Sequence, residues 1–250
     1  MDNALLILAS GKSSRFGGFP KAFCTIDGEY IAQRTVDVTG TLFENVYLAV
    51  NEDIYAKYGQ RITGCKTFAI HTGQGDAHSF LRAARFVKAD CKAKFVTLCW
   101  GDTVYLDDTP FRKALEEAPR LGAKAVGSAV CAIDREPYAW FEVERDLIVE
   151  SHFRSSDGIV AKGVHDQSVF MFDLDCICEQ LEAYMRFLGL DDKEDYIDAR
   201  ASREMKLLEA FSYFQKHQLL PMKYALIAEG RSYSFNTQEE LDSITEILES

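Results

Sequence analysis

The chain of 250 residues predicts an α/β fold, with helices on both sides of a central mixed sheet, on three observations. Short apolar runs of strand length alternate with helix-period segments as far as about Arg120, the rhythm of a parallel sheet with crossover helices. The runs Leu5-Leu6-Ile7-Leu8 and Val96-Thr97-Leu98-Cys99 are near-continuously apolar, as strands buried on both faces are. Past Arg120 come four strand-like runs with few helices between them, so the second half adds hairpins and the sheet is mixed.

Taken in order, the first strand ends at Ala9 and runs directly into Gly, Ser and basic residues. Residues 22–26 read as a short extended piece, Asp27-Gly28 as a turn, and 30–38 as a helix with Ile31, Ala32, Thr35 and Val36 along one face. Residues 45–50 form the second strand, and Asn51 caps a helix through Ile54 to about Tyr58. Residues 66–70 form the third strand, followed by His71-Thr72-Gly73-Gln74-Gly75-Asp76 and a helix over about 77–87. Residues 94–99 are the fourth strand and 109–120 a helix, for which Asp107-Asp108 serve as capping residues rather than as a metal site. Strands follow over 123–133, 138–143, 147–152 and 167–172, with 154–163 as a mobile loop over the site. Helices over about 175–188 and 202–217 come next, then strands over 222–228 and 233–235. Thr237 with Glu240 three residues on is a capping box that opens a final helix.

Composition bounds the function. A formal charge of −11 argues against general affinity for nucleic acid or an anionic membrane, so a polyanion has to be held locally. No run is long enough to span a bilayer, and Asp2 stands where a signal peptide needs a basic residue. The length suits one domain, residues 1–250. Seven cysteines without a CxxC pair or zinc spacing read as reduced thiols of a cytoplasmic protein. Oligomeric state, a homo-oligomer included, stays open.

The most informative stretch is Leu8-Ala9-Ser10-Gly11-Lys12-Ser13-Ser14-Arg15-Phe16-Gly17-Gly18-Phe19-Pro20-Lys21. Small residues let backbone N–H groups approach phosphate oxygens, and the serines add hydroxyl donors. Arg15 offers a bidentate fork and Lys21 a compact charge. A Walker A loop is excluded because Leu6 stands at its first glycine position. The dinucleotide fingerprint fails because Ser13 occupies its second glycine position.

These residues resemble the signature of the nucleotidyltransferase (NTP transferase) superfamily, which includes the sugar-1-phosphate nucleotidylyltransferases: a strand, L-A-x-G-x-x-x-R-[MF]-G, then P-K. Ser10 and Ser13 depart from it. The resemblance implies a Rossmann-like three-layer nucleotidyltransferase fold of the glycosyltransferase-A type. It also implies a nucleoside triphosphate and a phosphorylated small-molecule acceptor as partners, and Mg2+ as cofactor. By the same resemblance Ala9, Ser10, Gly11, Lys12, Ser13 and Ser14 line the triphosphate, and Arg15, Lys21 and Asp102 are the catalytic residues. Asp102, in Trp100-Gly101-Asp102-Thr103, matches the family's strand-end metal ligand, and Asn236, in Asn236-Thr237-Gln238-Glu239-Glu240-Leu241, matches the second one. Gly73-Gln74-Gly75 resembles the segment that lies against the base, in a form closest to uridylyl- and cytidylyltransferases. Arg154 and Lys162 fall where family members place acceptor-phosphate contacts, and Glu204 and Glu209 on the long helix are candidates for acceptor hydroxyls.

Two other readings accompany this one. Asp173-Leu174-Asp175 is a D-x-D pair of the kind that glycosyltransferases of the related fold use on sugar nucleotides, and a catalytically silent nucleotide-binding domain would need no acceptor. His71 and His78 adjoin the base segment and are read as structural.

Overall fold

The computed structural model describes residues 2–11, 13, 16–71, 73–131, 139–153, 163–192 and 204–249. Its main sheet comprises β1 (Asn3–Ala9), β4 (Asn45–Val50), β5 (Lys66–Ala69), β6 (Phe95–Trp100), β8 (Ala125–Val130), β9 (Ala139–Glu144), β10 (Leu147–Phe153), β11 (Val164–Asp173) and β12 (Lys223–Ile227). Two small ribbons stand apart from it, β2 (Thr25–Ile26) with β3 (Glu29–Tyr30) and β7 (Thr103–Tyr105) with β13 (Ser232–Ser234). The strand order is β5-β4-β1-β6-β11-β8-β12-β10-β9. β5, β4, β1 and β6 are mutually parallel, and β11 runs antiparallel to both β6 and β8. β11 also pairs with β9, so the second half of the sheet curls back on itself.

The buried runs dictate three layers. From Asn3 to Leu8 every residue of β1 is buried. Leu6 and Leu8 join one core with Phe80, Leu181 and Phe211 of the helices α3 (Asp76–Asp90), α5 (Leu174–Phe187) and α6 (Leu207–Lys216). Leu5 and Ile7 join the opposite core with Val36, Ile54 and Phe111 of α1 (Ile31–Thr39), α2 (Glu52–Tyr58) and α4 (Thr109–Arg120). A strand with apolar side chains on both faces is stable only where both faces are covered. A third, smaller core, with Ile26, Val104, Phe235 and Leu241, lies beneath α7 (Gln238–Glu249). This is the mixed α/β architecture expected from the sequence. No described helix is long and apolar enough to cross a membrane.

Three local expectations are corrected. Residues 22–26 are not extended throughout: Lys21–Phe23 form a 3-10 turn before the β2–β3 hairpin. Pro20, at φ −68°, presets the entry to that turn, and Phe23 stacks on Tyr58. The helix expected from residue 202 begins at Leu207, because the Met205 backbone is drawn into hydrogen bonds with Gln74 and Ala77. The strand expected over 167–172 begins at Val164 and carries a register irregularity between Asp166 and Phe170. There the Asp166 carboxylate accepts from the Ser168 N–H, and Ser168 sits at φ 60°. The mobile loop expected over 154–163 lies, except for Gly163, outside the described residues.

Candidate active site

Parallel pairing of β1 with β6 sets Leu8 beside Trp100, so the loops leaving both strands emerge at one edge of the sheet, where α/β folds bind ligands. Gly101 makes their close approach possible. A Cβ on Gly101 would stand 2.7 Å from the Ala9 Cβ and 3.2 Å from the Ala22 Cβ, while its N–H donates to the Leu8 carbonyl at 2.9 Å. Ser10 is buried, and its carbonyl accepts from the Asn51 side-chain amide at 3.1 Å. The Asn51 Oδ1 meanwhile accepts from the Ile54 N–H at 2.9 Å as the cap of α2. One asparagine thus caps a helix and holds the start of the loop.

The loop then doubles back. Ser13, at φ 47°, accepts at its carbonyl from the N–H groups of Phe16 and Gly18, at 2.8 and 3.0 Å, and its Oγ accepts from the Lys21 N–H at 3.3 Å. Gly17 and Gly18 both take positive φ, which costs glycine little. Lys12, Ser14 and Arg15 lie outside the described residues.

Lys21 is the centre of the arrangement. Its Nζ donates to Asp102 Oδ2 at 2.9 Å, to the Phe235 carbonyl at 2.7 Å and to Asn236 Oδ1 at 3.3 Å. Its side chain is 10% exposed, against 40% for Asp102, so the lysine is enclosed while the carboxylate still meets solvent. Asn236 arrives from 215 positions away because β13 pairs with β7, Ser234 opposite Thr103. The capping box then sets its backbone: Glu240 Oε2 accepts from the N–H groups of Asn236 and Thr237, and the Thr237 Oγ1 accepts from the Glu240 N–H. Helix capping falls to Thr237 and Glu240, which leaves the Asn236 amide oxygen directed at the lysine.

The Gly73-Gln74-Gly75 segment is pinned from several sides. The Gly73 N–H donates to Ser79 Oγ at 3.3 Å, and the Gln74 N–H to His78 Nδ1 at 3.2 Å. The Gln74 carbonyl accepts from the Met205 N–H at 2.7 Å. Gly75, at φ 113°, passes so close to Met205 that a Cβ would lie 2.3 Å from its carbonyl oxygen. Because both N–H groups are engaged internally and Gln74 is buried, the loop presents less hydrogen-bonding edge than its sequence suggests. Since Nδ1 accepts, His78 carries its proton on Nε2, 3.1 Å from Asp192 Oδ1. Burial holds the His78 pKa below the ordinary histidine value, consistent with the structural role read from the sequence.

The remaining candidates are placed as follows. Glu204 precedes α6 instead of riding on it, in a surface cavity of about 410 Å³ with Leu188, Lys206 and Glu209. Arg154 and Lys162 lie outside the described residues. Asp173 caps α5 by accepting from the Cys176 N–H at 3.0 Å, and Asp175 pairs with Lys88. Asp173 stands opposite Phe95, at the far end of β6 from Asp102 by about 17 Å of strand, at about 3.3 Å per residue. The D-x-D pair is thus engaged in a helix cap and an ion pair at the opposite end of the strand from Asp102. Sequence reasoning did not single out Glu142, Glu150 and His152, whose ligand atoms lie within 4.8 Å of one another. They face one another across the β9–β10 hairpin, and alternation along both strands was the signal that could have revealed them.

A family model, the MobA-like NTP transferase domain, matches residues 5–154. The chain belongs to that family. It is accordingly a nucleotidyltransferase, and the matched span holds the loop after β1, Lys21 and Asp102. Among solved structures, an inositol-1-phosphate CTP transferase from T. maritima superposes with TM-score 0.69 at 17% identity, over 100% of this chain and 95% of that one. A Bacillus anthracis protein described as a glucose-1-phosphate thymidylyltransferase, in complex with a sucrose, gives 0.71 at 15% identity over 98% and 95%. A Thermus thermophilus protein described as a mannose-1-phosphate geranyltransferase gives 0.64 at 17% over 94% and 76%. At such identities these likenesses speak for the fold. No curated protein matches the sequence.

Proposed function

We propose that this nucleotidyltransferase joins an NTP, CTP or UTP in preference, to a phosphorylated acceptor with release of pyrophosphate. The acceptor class is a sugar, polyol or aminoalkyl phosphate. The observation that carries the reading is the meeting of Lys21, Asp102 and Asn236, from three distant parts of the chain, at the mouth of the loop after β1. A phosphate monoester is already ionised near neutral pH, so its oxygen attacks the α-phosphorus directly and no protein base is required. What the protein must supply is positioning and charge neutralisation.

In this reading the loop from Ala9 to Ser14 holds the triphosphate and Arg15 meets the leaving pyrophosphate. Lys21 contacts the α-phosphate and the incoming acceptor oxygen, and Arg154, Lys162 and Glu204 contact the acceptor. Asp102 and Asn236 are the residues that would hold Mg2+. Their fit rests on donor chemistry: a carboxylate and an amide oxygen, both hard ligands, already converge on a cation, the Lys21 ammonium. When bound, the ion would neutralise charge on the phosphates. The net charge of −11 favours small-molecule substrates over nucleic acid, and the seven cysteines without a CxxC pair or zinc spacing favour a cytoplasmic setting.

The test is a pyrophosphate-release screen that crosses the four NTPs with a panel of phosphorylated acceptors, with and without Mg2+. Metal-dependent release with CTP or UTP and one acceptor class is the expected result. Nucleotide binding without release for every pair would favour the silent nucleotide-binding domain.

A further inference from the structure

Lys21 has three N–H donors and spends them on three protein oxygens: Asp102 Oδ2, the Phe235 carbonyl and Asn236 Oδ1. Its ammonium also lies 5.4 Å from the centroid of the Phe235 ring, within the range of a cation–π contact. A lysine so committed has no donor left for a phosphate. Two of its three acceptors are, on the reading above, the oxygens that would hold the divalent ion. An ion bound through Asp102 Oδ2 and Asn236 Oδ1 would take the oxygens the ammonium holds, and the two like charges repel at contact distance.

The acceptors are the fixed partners. Asp102 follows the tightly packed Gly101, and Asn236 is held between the β7–β13 pairing and the Glu240 carboxylate. Lys21 is the adjustable one, a point charge on a flexible four-carbon stem. We propose that Lys21 is a tethered competitor of the divalent ion: its ammonium occupies the point where Asp102 and Asn236 converge, and the ion enters as the ammonium transfers to the nucleotide's α-phosphate. Metal and nucleotide binding are then coupled through one side chain. The metal alone must displace a cation that has nowhere equivalent to go, whereas in the presence of nucleotide the displaced ammonium gains an anionic partner. Such coupling is reciprocal by linkage. The proposal rests on the assignment of Asp102 and Asn236 as the ion's ligands.

The test reads ion binding without turnover: Mn2+ alone, titrated by electron paramagnetic resonance against wild type, Lys21→Met, Lys21→Gln and the double variant Lys21→Met/Asp102→Asn, with circular dichroism to confirm folding. The Lys21→Met and Lys21→Gln proteins are expected to bind Mn2+ at least tenfold more tightly than wild type, and the gain is expected to vanish in the double variant. Mn2+ affinity in both single variants no higher than wild type would overturn the proposal, as would a gain that survives Asp102→Asn. Neither readout depends on finding the right acceptor, so failure of the catalytic screen and failure of this proposal are separate outcomes.

Discussion

Gly101 and Ala9 pack so closely that a methyl group on Gly101 would stand 2.7 Å from the Ala9 Cβ. The contact joins the ends of β1 and β6 and sets the position of Asp102 one residue later. Gly101→Ala has backbone on one side and Ala22 on the other, so relief requires the strand ends to part. Overpacking of this kind costs about 1–3 kcal/mol, or a Tm loss of about 2–4 °C per kcal/mol in a chain of this size. Thermal melts should show that loss, and pyrophosphate release should fall by more than the melt accounts for. An unchanged melt with unchanged turnover would show that the approach is not tight.

Asn51 caps α2 and clamps Ser10 with the same side chain. Removing a cap costs about 1 kcal/mol, so Asn51→Ala should lower Tm by a few degrees. Asn51→Asp keeps an acceptor for the Ile54 N–H but loses the donor to the Ser10 carbonyl. Asn51→Asp is therefore expected to recover much of the melt while nucleotide affinity, measured by calorimetry, stays weakened. Equal nucleotide affinity in all three proteins would limit Asn51 to capping.

His78 makes the Gly73-Gln74-Gly75 segment sensitive to acid. Its Nδ1 accepts from the Gln74 N–H, and a protonated Nδ1 cannot accept. With its folded pKa depressed by burial, the unfolded chain takes up the proton first. Stability rises with pH wherever the unfolded state binds more protons. This contribution is therefore full above about 6.5, the unfolded value, and is lost as pH falls from there through the depressed folded value. The Tm of wild type should decline across that window more steeply than that of His78→Asn, which keeps an acceptor near Gln74 but does not titrate. Parallel acid limbs would contradict the assignment.

How much of this was legible in the sequence depended on the range of the interaction. β1 and β6 were legible because burial on both faces leaves an unbroken apolar run, and the Thr237–Glu240 box because a cap is a local motif. Asp102 could be read as a strand-end acid, but its meeting with Asn236 could not be read from spacing. It depends on β7 and β13, three residues each and 131 positions apart at the Thr103–Ser234 contact, too short to carry a periodic signal. Only the family resemblance brought the two together in advance. The opening of β11, Val164 to Asp166, escaped notice because His165-Asp166 is polar; those two residues pair with Val130 and Ala129 of β8. The late start of α6 was likewise hidden, since nothing local announces that Met205 will pair with Gln74.

The measurement closest to the central claim is pyrophosphate release by Asp102→Asn and Lys21→Ala, beside wild type, with the NTP and acceptor pair the screen selects. Loss of one charge contact at such a site should cost about 3 kcal/mol, on the order of a hundredfold in turnover, with circular dichroism and melts showing the fold retained. The account predicts that each variant falls at least that far. Turnover within a few-fold of wild type in either purified variant would contradict it.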